Sequence, residues 1–439
     1  MRYLKFSSIM SLAFLACMPL AYAEEETATL DPAANTFVII CAILVMLMSV
    51  PAIGLFYGGL VRAKSVLSVL EQCLVVFSLA FVLWMLVGYS IGFTDTDGFL
   101  SQFFGSCSKL GLLGITTDSL HGNLSEFTFV TFQGAFCAIS ACLIVGATVE
   151  RIRFGAILFA IGVWIVFSYA PLAHMVWGGG FIDSNFKAYD FAGGVVVHIN
   201  AAVAGLVGAK VLGPRHDLGK VVLAPHNLPI TYIGAGLLWI GWFGFNAGSE
   251  LTADGTAAIA LLNTAIAPAA AALSWMAAEW ILFKKPSTLG TSSGVVGGLV
   301  AITPACAFVG PFGALIIGLV AGFLCLWGVH GFKRLTKVDD SLDVFGIHGI
   351  GGIVGALLTG IFCAPGLGGA GYNGDYTSVA GQFYAQFMSV VIGVVWSGVV
   401  AYISFKLAAV LFGGLRVESE EETEGLDLAS HGERGYNLP

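Results

Sequence analysis

A chain of 439 residues with 57% hydrophobic and only 10% charged side chains, at a mean hydropathy of +0.89, is no water-soluble domain. Such an apolar excess belongs to a protein that crosses a bilayer many times. The formal net charge of −8 is spread over connections and an acidic end, and there is no basic stripe, P-loop or dinucleotide glycine pattern, which argues against nucleic-acid partners and nucleotide-driven transport.

In chain order, Arg2 and Lys5 precede an apolar run from Ile9 that ends in Ala21-Tyr22-Ala23, the pattern of a secretory signal peptide over residues 1–23. Apolar segments follow at 35–61, 66–93, 127–149, 155–177, 190–213, 228–250, 256–283, 288–307, 313–332, 343–364 and 379–411, each read as long enough to cross a bilayer core. The expected fold is therefore an all-α polytopic membrane protein with eleven transmembrane helices, its N-terminus outside and its C-terminus inside. Basic residues agree with that orientation. Arg62, Lys64, Arg151, Arg153, Lys210, Arg215, Lys284, Lys285, Lys333 and Arg334 fall in expected inner connections, whereas Lys109 and Lys187 alone fall in outer ones. Residues 24–412 then form the transmembrane domain and 413–439 an inner tail bearing Glu418, Glu420, Glu421, Glu422 and Glu424. The loop 94–126 reads as a polar outer cap.

Five helices per half invert the second copy, so helices one to five and six to ten are expected to form an inverted repeat with the eleventh added. The sequence hints at this pairing. Asp190 precedes His198, Asp343 precedes His348, and Gly205 and Gly355 each stand seven positions after a histidine. A titratable ring inside an apolar helix is expensive and marks a functional site by default. One such histidine alone reads as a bond to a neighbouring helix; the pair reads as a site where the halves meet.

The cysteines offer no metal or haem pattern: no C-x-x-C or C-x-x-C-H spacing occurs, and no cofactor is expected. Most sit in apolar segments as small hydrophobes, Cys107 in the outer loop being the exception. Asp190 opens the fifth helix after a polar loop. It reads as a cap for free N–H groups with a supporting electrostatic role, in preference to a direct cation ligand, and Asp340 and Asp343 open the tenth helix similarly.

Several stretches together resemble the signatures of the ammonium transporter and Rhesus family. They are Asp190-Phe-Ala-Gly-Gly-Val-Val-Val-His-Ile-Asn-Ala-Ala, Gly241-Trp-Phe-Gly-Phe-Asn-Ala-Gly-Ser249 and Val338-Asp-Asp-Ser-Leu-Asp-Val-Phe-Gly-Ile-His-Gly349. Ala173-His-Met-Val-Trp-Gly178, Gly146-Ala-Thr-Val-Glu-Arg-Ile-Arg-Phe154 and the tail Glu424-Gly-Leu-Asp-Leu-Ala-Ser-His-Gly-Glu433 add to it. The likeness runs from about residue 35 to the end, is nearest to the bacterial ammonium channels, and is weakest in the loop 94–126.

The resemblance implies a homotrimer in a bacterial inner membrane, each subunit with its own pore. It implies Trp177, Phe136 and Ser249 as an outer site recruiting ammonium, with methylammonium a second candidate substrate. Phe136 and Phe245 correspond to stacked rings closing the mouth, and His198 and His348 to twin histidines lining the pore. Without the resemblance, Trp177 reads as an interfacial aromatic and both phenylalanines as core. The tail resembles the segment that couples such channels to a PII-type nitrogen regulatory protein. Three rival classes remain from sequence. They are an ammonium sensor without useful flux, for which the tail is too short a signalling domain, a Rhesus-like gas pore, and a membrane cytochrome using the two histidines.

Overall fold

The computed structural model describes residues 29–436, so the expected leader, residues 1–23, lies outside the described residues. The long elements are all helical. They are α1 Pro32–Leu60, α2 Ala63–Phe93, α3 Glu126–Thr148, α4 Phe154–Phe186, α5 Gly194–Leu212, α6 Leu228–Gly248, α7 Gly255–Phe283, α8 Thr288–Ile302, α9 Pro311–Thr336, α10 Phe345–Phe362 and α11 Val379–Leu411. Short α12 (Ser419–Glu424) and α13 (Leu426–His431) follow in the tail. Among the described residues the only paired strands form one hairpin, β1 Leu120–His121 antiparallel to β2 Leu124–Ser125.

Helix starts follow local capping chemistry. Asp31 accepts from the amides of Ala33 and Ala34, Asn227 from Ile230, Asp254 from Thr256 and Ala257, and Ser287 from Gly290. Each satisfies N–H groups that have no partner within the helix.

Ten of these helices are long and apolar enough to cross a membrane. The exception is α8, expected over 288–307 as a full crossing but ending at Ile302 after 15 residues, about 22 Å of rise. Thr303 still keeps helical dihedrals (φ −53, ψ −47), but Pro304 after it has no amide to continue the ladder. The freed carbonyls are met from elsewhere in the chain. Asn263 of α7 donates to Cys306 and Val309 at 2.8 Å each, and the amides of Phe191 and Ala192 reach Pro304 and Thr303 at 3.3 Å. Non-helical backbone at membrane depth survives only when buried against protein in this way.

Packing is close because small residues permit it. A Cβ on Gly355 of α10 would lie 2.1 Å from the Ala301 carbonyl oxygen of α8, and one on Gly318 of α9 would lie 2.2 Å from that of Ala267 of α7. Helix α3 is buried along nearly its whole length and forms the axis of the larger core, with α1, α2 and α5 around it.

The connections 94–125 gather on one face, the cap face, and the tail on the opposite one, the tail face. On the tail face Arg215 reaches Glu150 at 2.9 Å and grips Asp339 through Nη2 and Nε at 2.9 and 3.0 Å. Arg62 joins Glu150 to Asp217, each at 3.0 Å. Arg151 is wholly buried and donates to the carbonyls of Gly213 and Asp339 and to the Ser341 hydroxyl. Burial opposes ionisation of Asp339, but the Arg215 guanidinium overrides it and holds the carboxyl down at about 2. Glu150 is lowered likewise by Arg215 and Arg62 against its own burial.

The tail lies against this face without drawing on its most engaged basic residues. Arg215 and Lys333 are taken by Asp339 with Glu150 and by Asp343. The tail is held instead by Arg153 to Glu418 at 2.9 Å, Arg416 to the Pro214 carbonyl, the His216 amide to Glu422 at 2.6 Å and Lys64 to the Thr423 carbonyl. Asp427 accepts from the Ser68 amide at 2.8 Å, capping the start of α2 from the far end of the chain.

Candidate functional site

The fifth and tenth helices both begin with an irregular opening. Gly193 adopts φ +104, a left-handed geometry open to glycine, and the amides of Val197 and His198 both reach its carbonyl, at 2.9 and 3.1 Å. The five-residue step to His198 makes Gly194–Ile199 a π-turn. Its amides are collected by the Asp190 carboxylate, which accepts from Gly194, from Val195 at 2.9 Å and from Val196 at 3.2 Å. The tenth helix repeats the arrangement. Asp343 takes φ +60 before the π-turn Phe345–Gly349, and Asp340 accepts from the Phe345 amide at 2.7 Å. Acid, left-handed residue and histidine (190, 193, 198 and 340, 343, 348) share one offset: 340 − 190 = 343 − 193 = 348 − 198 = 150. The sequence reading paired His198 with His348 and set both Asp340 and Asp343 at the opening of the tenth helix; the geometry separates them, Asp340 accepting the amide and Asp343 taking the left-handed position.

The two openings bring the rings together. His198 Nδ1 and His348 Nδ1 are 3.3 Å apart, close enough to share one hydrogen bond, and the ring centroids are 5.3 Å apart. Both rings are buried, and His198 Nε2 has no partner among the described residues. Trp242 of α6 stacks on His198 at 5.2 Å and is fixed by its own N–H to the Thr303 hydroxyl at 2.9 Å. No local sequence pattern signals this partner of Trp242, 61 positions away.

Toward the cap face, Phe245 lies 5.9 Å from His198, and Phe136 of α3 stacks on Phe245 at 4.1 Å with 13° between planes. Both phenylalanines are fully enclosed. Beyond them opens a cup of about 170 Å³ lined by Phe136, Trp177, Ser249, Gln133, His121 and Phe129 among others. Trp177 meets Phe136 edge-on at 6.2 Å, and its indole N–H is held by the Asp190 carbonyl at 2.8 Å. The Ser249 hydroxyl donates to the Phe245 carbonyl at 2.9 Å, which leaves its oxygen free to accept. All three expected cup residues therefore share one cavity, with the two stacked rings as its floor.

Below the floor a space of about 10 Å³, bounded by His198, His348, Trp242, Ile139, Leu143 and Val296, has room for roughly one water-sized molecule. Phe56 borders both this space and a chamber of about 350 Å³ on the tail face, where Leu342, Ile347, Lys333 and Asp343 take part in the lining. Cup, ring pair, histidine pair and chamber follow one another through the molecule. Among the described residues no cluster of His, Cys, Asp or Glu is arranged to hold a metal. His121 and Gln133 were missed from sequence, because a histidine in a polar loop and a glutamine in an apolar helix carry no pattern that aims them at the same space.

Ten membrane-length helices around a narrow, mostly apolar passage define an all-helical, multi-pass membrane protein. The chain belongs to the Ammonium Transporter Family, whose profile matches residues 36–436. The ammonium transporter of Aquifex aeolicus (strain VF5) is 45% identical over 441 residues, covering 100% of both chains. That of Bacillus subtilis (strain 168) is 42% identical over 404 residues, covering 92% of this chain and 98% of its own. Among solved structures, Saccharomyces cerevisiae Mep2 superposes with a TM-score of 0.81 at 32% identity, covering 90% of this chain and 92% of that one. A structure described as a Sensor Amt Protein superposes with a TM-score of 0.82 at 26% identity, covering 91% and 98%.

Proposed function

We propose that this protein is an ammonium channel that gathers ammonium at the cap face, strips its proton and passes ammonia between His198 and His348 to the tail face. The proton is relayed separately through the same imidazole pair, so that one net charge crosses per ammonium. The cap face is then periplasmic and the tail face cytoplasmic, across a bacterial inner membrane. The observation that carries this reading is the unpartnered Nε2 of His198, buried in a passage with room for one small molecule. A neutral, small hydrogen-bonding solute satisfies that atom; a bare ion does not.

Selection follows from desolvation. Moving an ammonium-sized ion into a medium of low dielectric costs on the order of 20 kcal/mol in the Born limit, so ammonium crosses only as ammonia, and potassium, which has no proton to lose, stays behind. Trp177 and Phe136 offer aromatic faces worth roughly 0.5–2 kcal/mol to a cation, and Ser249 accepts one of its N–H donors. The stacked Phe136 and Phe245 exclude water and hydrated ions until they part. The histidine pair shares one proton between its Nδ1 atoms, so each ring fixes the other's tautomer and the titration belongs to the pair. Asp190 supports the site by holding the opening of α5 in shape.

The repeated acid, left-handed residue and histidine support an inverted five-plus-five repeat with α11 added, α8 serving as a short eighth crossing completed by the turn after Ile302. Residues 1–23 are assigned as a removed leader, 24–412 as the conducting domain and 413–439 as a regulatory tail. The resemblance to bacterial channels further supports a homotrimer and a PII-type nitrogen regulatory protein as the cytoplasmic partner.

The test is current recording on solid-supported membranes bearing the reconstituted protein, with ammonium against potassium. Wild type is expected to respond to ammonium alone, and His198→Ala and His348→Ala to lose flux or admit potassium. Unchanged flux and selectivity in both variants would refute the twin-histidine route.

A further inference from the structure

The cap hairpin is built to hold one side chain in place. Gly122, at φ +59, makes the turn between β1 and β2, and the Asn123 carbonyl accepts from the Asp31 amide at 2.9 Å. The Ser125 amide donates to the Asn35 side chain at 3.2 Å, and Leu124 is buried beneath. The hairpin is thus tied to the start of α1. Its inward-facing ring, His121, lies flat on Phe129 with centroids 3.7 Å apart and 9° between planes, and Phe93 meets it edge-on at 6.5 Å. The ring borders the same 170 Å³ cup as Trp177, Phe136 and Ser249.

We propose that His121 is a further member of the ammonium-recruiting cup, presenting a ring nitrogen as a hydrogen-bond acceptor to the incoming cation from the side opposite the membrane. The inference rests on the reading of that cup as the recruitment site. Among the described residues neither ring nitrogen of His121 has a protein partner, although the ring is fixed by stacking. An amine donor is the complement such an atom lacks. Gln133, nine-tenths buried in the same cavity, has its side-chain oxygen without a partner as well. The cup thus holds acceptors at Ser249, Gln133 and His121, placed around a space fit for a tetrahedral donor.

The ring's charge state agrees with an accepting role. Burial lowers its pKa and Lys109 lowers it further, while Glu126 acts the other way. Glu126 is itself engaged by Lys109 and by the Tyr89 hydroxyl at 2.6 Å, and burial outweighs the charge it presents to His121. At neutral pH His121 is therefore an uncharged ring that accepts, where an imidazolium would repel ammonium.

The experiment measures ammonium-driven current against concentration in liposomes holding equal amounts of reconstituted protein, for wild type, His121→Phe, His121→Gln and Trp177→Leu. His121→Phe keeps a ring to stack on Phe129 and removes only the acceptor. It is expected to raise the half-saturating ammonium concentration roughly three- to tenfold with unchanged maximal current, and His121→Gln, which restores an acceptor, to fall between it and wild type. Unchanged half-saturation in His121→Phe alongside a raised value in Trp177→Leu would overturn the role of His121 and leave the cup standing. A loss of maximal current without a change in half-saturation would assign His121 to the scaffold and also overturn it. If neither His121→Phe nor Trp177→Leu moves the half-saturation, the cup is not the recruitment site and both readings fall.

Discussion

Replacing Asp190 separates a structural acid from a cation ligand. Its buried carboxylate accepts from the amides of Gly194, Val195 and Val196, which a π-turn leaves without carbonyl partners. Each buried donor left unsatisfied costs about 1–3 kcal/mol. Three such donors in Asp190→Ala set the loss at about 3–6 kcal/mol once their overlap through one side chain is allowed for. Asparagine keeps one accepting oxygen, so Asp190→Asn should lose about half of that. The effect should reach transport through His198, which stands on the same turn. The assay is thermal unfolding of the detergent-solubilised protein beside ammonium flux in liposomes. Asp190→Ala is expected to melt several degrees lower and to conduct least, with Asp190→Asn between it and wild type. Wild-type melting in both variants, together with equal loss of flux, would refute the capping argument and make the charge itself the ligand.

The tail-face network carries a pH signature. Asp339 is held at about 2 against an ordinary 3.8, so its contribution is fully present above its unfolded value and is lost as pH falls through the folded one, between about pH 4 and 2. That depression is worth about 2 kcal/mol, and Asp339→Asn should be less stable than wild type at neutral pH with the gap closing below pH 4 in urea titrations. A constant gap would show that the Arg215 pair is not its source. Close packing predicts a contrast between two glycines. Gly355→Ala sets a Cβ against the Ala301 carbonyl and should cost about 1–3 kcal/mol, whereas Gly236→Ala meets nothing within 4 Å and should be neutral or gain up to about 1 kcal/mol; equal melting of the two would argue against tight contact between α8 and α10. At the tail, Asp427→Ala uncaps α2 and should free residues 413–439 to protease, and deleting that segment should abolish capture of a PII-type protein while the channel still folds. Undiminished capture by the truncated form would remove the tail from the coupling.

The crossing helices were legible in the sequence because a bilayer imposes a one-dimensional rule: about 20 apolar residues per crossing, broken by polar connections with capping residues such as Asp31, Asn227 and Asp254. The same rule explains why His198 and His348 stood out, each a titratable ring where lipid tolerates none without cause. It failed at α8, whose apolar run continues past Ile302 although its helix does not. What ends that helix is Pro304 together with Asn263 from α7, a partner that hydropathy cannot see. Which residues meet was decided only in three dimensions. Trp242 and His198, Phe136 and Phe245, and Glu422 and the His216 amide come together because close-packed helices and buried polar groups admit few arrangements. Local order left Asp340 and Asp343 alike at the opening of α10, and only the folded turn shows that the Asp340 carboxylate is the one that reaches the amide of Phe345. His121 marks the furthest reach of that difference. Nothing near it in the chain is periodic, and a hairpin tied to Asp31 and Asn35 is what carries its ring onto Phe129 and over the cup.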